Sequence, residues 1–176
     1  MCYARPMPTD EDLVGRLALG DEPALRELLT RYERPLSSFL YRNTGGRDVE
    51  DLYQETWIRV VGNAAKFDRS KRFSTWMFQI AVNLCRDWHR RRPPEPQVSQ
   101  EESATSVELA RREAALDADR LLALLPAEQR EVLILRYYHD MTEEQAAEVL
   151  GCPRGTIKSR AHNALARLSQ ILEEPR

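Results

Sequence analysis

The sequence predicts an all-helical protein built as two small helical domains joined by a flexible linker, the second containing a helix-turn-helix. Three observations predict it: glycine is scarce at 7 residues in 176, leucine and alanine recur at three- and four-residue intervals, and no segment sustains the apolar/polar alternation of a strand. The domains are expected at 1–92 and 107–176, with the linker at 93–106.

The first helix is expected to open at Thr9 and close near Gly20. A second should run from about Asp21 through Leu25, Leu28, Leu29, Tyr32, Leu36, Phe39 and Leu40 to a stop at Gly45 and Gly46, with Pro35 as a point of kinking or division. A third should begin near Asp48, whose side chain could cap free amides. Its apolar stripe is Val49, Leu52, Tyr53, Thr56, Trp57, Val60 and Val61. After a polar loop at 67–72, a fourth helix is expected over 74–92, burying Met77, Ile80, Ala81, Leu84 and Trp88.

Residues 93–106 hold three prolines, four serines or threonines and, beyond Ala104, only Val98 as an aliphatic side chain, too little apolar surface to order themselves. Helical periodicity resumes near Val107 and continues through Leu116, Leu121, Leu124 and Leu125, with Pro126 suited to the first turn of the next helix. Glu128 to Tyr138 reads as a core helix. Thr142 then caps a short helix, Glu143 to Leu150, that turns inward Ala146, Ala147 and Leu150. Gly151 suits a left-handed cap, Pro153 forbids continuation, and Thr156 is placed to cap a last helix burying Ile157, Ala161, Ala164, Leu165 and Leu168.

That last helix carries Lys158, Ser159, His162 and Asn163 outward, with Arg160 and Arg167 at its flanks and Arg154 and Thr156 at its start. No carboxylate occurs from Cys152 to Leu172. A merely solvated face normally interleaves acids with its bases, so this one fits contacts to phosphates and base edges in a major groove. The formal net charge of -2 excludes bulk electrostatic coating of nucleic acid, which makes any DNA contact local. A second basic patch gathers Arg86, His89, Arg90, Arg91 and Arg92.

The run from Met141 to His162, preceded by Leu125-Pro-Ala-Glu-Gln-Arg-Glu-Val-Leu, resembles region 4 of the extracytoplasmic-function sigma factors. Asp51-Leu-Tyr-Gln-Glu-Thr-Trp-Ile-Arg-Val resembles region 2.2 of the same family, and Phe73-Ser-Thr-Trp-Met-Phe-Gln-Ile-Ala-Val-Asn its regions 2.3 and 2.4. The resemblance implies an RNA polymerase specificity subunit whose partners are core polymerase, promoter DNA and an anti-sigma protein. Asp51, Gln54, Glu55 and Ile58 share one helical face opposite the apolar stripe. By resemblance that face docks on the clamp helices of the largest polymerase subunit.

Trp76, Gln79, Asn83, Arg86 and Arg90 line a stripe of the fourth helix away from the core. By resemblance this region holds the -10 element as single strand, with Phe67 and Asn83 enclosing a flipped-out base, whose stacking on an aromatic face is worth roughly 1–3 kcal/mol. Phe67 suits a core position equally well. Relatives often carry a basic residue where Asn163 stands, on the face toward the -35 element, so base preference there should differ.

A free-standing dimeric helix-turn-helix regulator would account for 141–168 but assigns nothing to Asp51, Gln54 and Glu55. An enzyme is disfavoured: His89, His139 and His162 lie in two cationic helices and a polar turn, without carboxylate or cysteine at catalytic or metal spacing, so neither catalytic residues nor a cofactor are expected. Cys2, Cys85 and Cys152 are unpaired in spacing. With no run of about 18 apolar residues and no secretory leader, a reduced, cytoplasmic chain without membrane insertion is expected.

Overall fold

The computed structural model describes residues 7–91 and 118–173, and every regular element among them is helical. The expected linker at 93–106 and the start of the second domain at 107–117 lie outside the described residues.

α1, Asp10–Leu17, opens in a capping box: Thr9 Oγ1 accepts from the Asp12 amide at 3.1 Å, and the Asp12 carboxylate accepts from the Thr9 amide. α2, Glu22–Thr44, is capped by Asp21 at its start and by left-handed Gly45 at its end. It continues through Pro35 without division, contrary to one alternative expected from the sequence.

α3, Val49–Asn63, begins as expected at Asp48, but not through a side-chain cap. Asp48 takes a left-handed φ of 51°, and its carboxylate accepts from Trp88 Nε1 at 2.7 Å, pinning the start of α3 to the end of α4. Leu52, Thr56, Trp57 and Val60 are buried, whereas Val61 is exposed. Neighbouring residues on a helix point about 100° apart, so Val60 and Val61 cannot both face one core. A 3-10 turn, Ala64–Lys66, leads toward α4, Phe73–Arg91.

α4 buries Met77, Ala81, Leu84 and Trp88 as the periodicity requires, with Ile80 half-buried, but also Phe78, Val82 and Cys85 on a second face. That second face meets the C-terminal helices. These are α5, helical at 118–123; α6, Ala127–Leu133; α7, Glu143–Leu150; and α8, Arg154–Glu173. The expected helix 128–138 is α only as far as Leu133 and then winds as a π turn, Ile134–Tyr138.

α7 and α8 form the expected tight pair. Thr142 and Gln145 build a second capping box, and Gly151 at φ 65° ends α7. α8 starts two residues before Thr156, so Thr156 sits inside the first turn and does not cap it; the Pro153 carbonyl accepts the Thr156 and Ile157 amides instead. Ile157 and Ala164 are buried, Ala161 and Leu168 half-buried, and Leu165 is exposed, one step round the helix from Ala164. α1–α4 and α5–α8 thus form two groups, with α7 packed along α4 and α6 against α2. The buried side chains make one continuous core from Leu13 to Ala164.

Candidate nucleic-acid and partner interfaces

Three faces carry the residues singled out by the sequence. On α3, Asp51, Gln54 and Ile58 are exposed and Glu55 is half-buried, so the four stand together on the outer side. Ile58 is 65% exposed amid polar neighbours, with Glu55 paired to Arg59 at 2.9 Å. A branched apolar side chain held in water loses the free energy that burial would supply, roughly 1.5–3 kcal/mol for a full-size aliphatic. A contact that buries Ile58 and pairs the acids recovers it.

The second face is the outer stripe of α4 with the turn before it. Gln79, Asn83 and Arg90 are exposed, Trp76 and Arg86 half-buried, and Phe67 buried. The Phe67 ring centroid lies 4.9 Å from that of Trp76 and 6.2 Å, edge-on, from Phe73. Two clefts adjoin here and share Trp76 and Lys66: one takes in Phe67 and Gln79, the other Arg59, Asn63 and Asn83. Phe67 and Asn83, which the resemblance implies enclose one base, thus border neighbouring clefts, and Trp76 is common to both. Arg59 and Asn63, from α3, border the Asn83 cleft but were not read from the sequence. They lie at i and i+4 on a helix whose outer side had been assigned to a protein partner.

Arg86 is not free for a phosphate in this arrangement. Its Nε and Nη2 donate to the two carboxylate oxygens of Glu131 at 3.1 and 2.8 Å, and the pairing holds its guanidinium pKa above the usual value. Arg90 pairs with Asp87 on its own helix.

The third face is the outside of α8, where Lys158, Ser159, His162, Asn163 and Arg167 are all exposed. Although 152–172 lacks acids, neighbouring helices supply them: Arg154 reaches Glu143 and Glu144 at 2.7 and 2.6 Å, and Arg160 reaches Glu128 at 2.5 Å. Lys158 also lies 4.0 Å from Glu143, so these pairs hold the start and flank of the face, with Ser159, His162, Asn163 and Arg167 exposed beyond them. Exposed pairs of this kind are worth about 0–1 kcal/mol, so a phosphate can displace the carboxylates at small cost.

His139, expected in a polar turn, lies instead with its ring centroid 4.7 Å from Phe78 and 5.9 Å from Phe39, and burial pushes its pKa down to about 4. Cys85 is buried with its thiol pushed up to about 12, which removes the reactive thiolate at neutral pH; Cys152 is half-buried, and Cys2 lies outside the described residues. Among the described residues no three His, Cys, Asp or Glu side chains stand where they could hold a metal ion, and no helix is long and apolar enough to cross a membrane.

A helix-turn-helix with an open basic recognition face, carried on the same chain as a polar, aromatic-walled helix, defines a helical DNA-binding protein with two separate contact regions. The sequence matches the family model for Sigma-70 region 2 over residues 28–93 and that for Sigma-70, region 4 over residues 115–168. It is 28% identical over 172 residues to the ECF RNA polymerase sigma factor SigW of Bacillus subtilis, covering 88% of this chain and 92% of that one. It is 29% identical to the ECF RNA polymerase sigma-E factor of Escherichia coli strain K12, covering 89% and 90%. Among solved structures, CnrH in complex with the cytosolic domain of CnrY superposes with a TM-score of 0.75 at 28% identity, covering 93% of this chain and 97% of that one. The sigma factor RpoE in complex with the anti-sigma factor NepR, from Bartonella quintana, superposes at 0.72 and 26% identity, covering 86% and 98%. The chain belongs to the sigma-70 family, as a member of its extracytoplasmic-function group.

Proposed function

We propose that this chain is a dissociable specificity subunit that grips a promoter at two points once core RNA polymerase holds its two halves apart at the right spacing. The observation that carries the reading is the presence, on one chain of net charge -2, of two DNA-suited faces on separate helical groups. Each face is too small to bind tightly alone, and tethering both on one enzyme raises the effective concentration of the second contact.

In this reading Asp51, Gln54, Glu55 and Ile58 dock on the clamp helices of the largest polymerase subunit. Trp76, Gln79, Asn83, Arg86 and Arg90, with Phe67 behind Trp76, hold the melted -10 strand by stacking, amide hydrogen bonds and phosphate contacts. Arg154, Thr156, Lys158, Ser159, Arg160, His162, Asn163 and Arg167 engage the -35 duplex in its major groove. The domain limits are 1–92 and 107–176. The chain works in the cytoplasm, carries out no catalysis of its own and is bound by an anti-sigma protein, as RpoE of Bartonella quintana is found in complex with the anti-sigma factor NepR.

Transcription in vitro with core polymerase and a randomised promoter library tests the reading, since both promoter elements should emerge together from the transcripts. Tight, sequence-specific binding of promoter duplex by the purified chain without polymerase would overturn it. Asp51→Arg should keep the fold, because Asp51 is exposed, yet abolish co-purification with core polymerase. A dimeric regulator would not respond to that change.

A further inference from the structure

Gly15 stands inside α1, away from both of its caps and without a left-handed backbone. Alanine is the better helix former at such a position, so the glycine answers to something outside the helix. That something is Arg69. A Cβ on residue 15 would come within 2.7 Å of the Arg69 Cζ and 2.9 Å of its Nε. The guanidinium lies where a side chain would otherwise be, and its Nη2 donates to the Asp12 carboxylate at 3.2 Å, one turn earlier on α1.

Arg69 belongs to the loop between the 3-10 turn and α4. Asp68 closes a turn in this loop: its Oδ1 accepts the Ser70 amide at 3.0 Å and the Ser70 hydroxyl at 2.7 Å, and its carbonyl accepts the Lys71 amide. Asp68, Lys71 and Arg72 border the cleft of Phe67, Trp76 and Gln79, to which the proposed function assigns the promoter strand. Arg69 and Ser70 instead border the neighbouring cleft beside Asp10 and Asp12 of α1. The loop thus has a strand side and an α1 side. A second anchor lies at its far end, where Glu11 Oε1 accepts the Phe73 amide at 2.9 Å, so that α1 satisfies a free donor of the first turn of α4. Phe73 is fully buried, with its ring centroid 6.2 Å from that of Phe67 and 6.1 Å from that of Trp76.

We propose that α1 sets the base preference of the strand-reading cleft: Gly15 and Asp12 seat Arg69, Glu11 seats Phe73, and together they hold loop 68–72 in the one form that selects a base of the melted -10 strand. These are positioning residues, and none of them touches a nucleotide. A loop free to shift would present several arrangements of donors and charges and average their preferences, whereas a supported one keeps a single arrangement. The Arg69 and Asp12 side chains are 59% and 54% exposed, so their pair adds little to stability and can be altered without unfolding the chain. The proposal rests on the strand reading of Phe67, Trp76 and Gln79.

The test uses holoenzyme assembled from core polymerase and the full chain, transcribing a library randomised at the -10 and -35 elements. A mismatched base in a specific site typically costs about 5- to 150-fold. Gly15→Ala, which displaces the end of the Arg69 side chain, and Arg69→Ala should each reduce the preference at one -10 position by about three- to tenfold, with the -35 consensus unchanged. The double variant should lose no more than either single one, because both changes break the same contact. Gly15→Ala should keep or raise the thermal midpoint, since alanine favours the helix, and this separates loss of positioning from loss of fold. Glu11→Ala should relax the same position. Glu11→Gln, whose amide oxygen still accepts, should stay within about twofold of the unaltered chain.

An unchanged -10 preference in Gly15→Ala and Arg69→Ala, or additive losses in the double variant, would sink the proposal and leave the strand reading intact. Equal relaxation at both promoter elements would sink it too, as the mark of a general weakening of the complex. A Glu11→Gln chain as relaxed as Glu11→Ala would remove Glu11 from the device. Failure of the strand reading has its own signature: the unaltered chain selects no base at the -10 element, and the positioning role falls with it.

Discussion

Asn163 stands exposed on α8 between His162 and the buried Ala164, at the centre of the open face. An amide suits adenine and a guanidinium suits guanine, each good bidentate pair giving about 1–3 kcal/mol of discrimination. Asn163→Arg should therefore move one position of the -35 consensus toward guanine while leaving the -10 consensus unchanged, as read from transcripts of a randomised promoter library. An unchanged -35 consensus would remove Asn163 from base reading. The placement of these side chains was only partly legible in the sequence. Lys158, Ser159, His162 and Asn163 were readable because their exposure follows from helical period alone. The contact of Phe67 with Trp76, and the cleft that Trp76 shares with Asn83, were not, since they depend on how the turn at 64–66 folds back onto α4.

At the level of the element, both ends of the helices were legible wherever a cap is local in sequence. Thr9, Asp21, Gly45, Thr142 and Gly151 all do what their types suggest. Asp48 and Thr156 depart because a competing partner wins: the Trp88 indole takes the Asp48 carboxylate, and the Pro153 carbonyl lets α8 begin early. Gly151 gives a clean test of the turn between α7 and α8. A methyl group there would meet nothing within 4 Å, so Gly151→Ala adds no clash and only the strain of a left-handed backbone, about 1–2 kcal/mol. Chemical denaturation should show that loss, with the α-helical signal retained in the native baseline. Ala146 and Ala164 are fully buried in this half, and Ala146→Leu should cost about 1–3 kcal/mol through overpacking of α7. A neutral result on denaturation would mean that α7 has room to shift.

Over the whole molecule, the packing of α7 along α4 was invisible to sequence patterning. Phe78, Val82 and Cys85 lie off the stripe that the helical period picks out, and a second helical group arriving from beyond residue 117 gives that face a partner. His139 belongs to the same contact and makes it sensitive to acid. Its ring is packed on Phe39 and Phe78, with Arg42 disfavouring and Asp140 favouring its charge, and burial dominates both. The neutral ring is the folded form: its pKa falls from 6.5 to about 4 on folding. The unfolded chain therefore takes up the proton first as pH drops. The contribution is complete above pH 6.5 and is lost progressively down to about 4. At one pKa unit per 1.36 kcal/mol the loss is about 3 kcal/mol as an upper bound. Aspartates and glutamates titrate near the bottom of this window, so the measurement is a difference. His139→Phe keeps an aromatic ring between Phe39 and Phe78 and has no proton to gain. Urea midpoints of the two chains should diverge as pH falls from neutral toward about 4, the variant becoming relatively more stable. Parallel pH curves would mean that the imidazole reaches water in the folded chain.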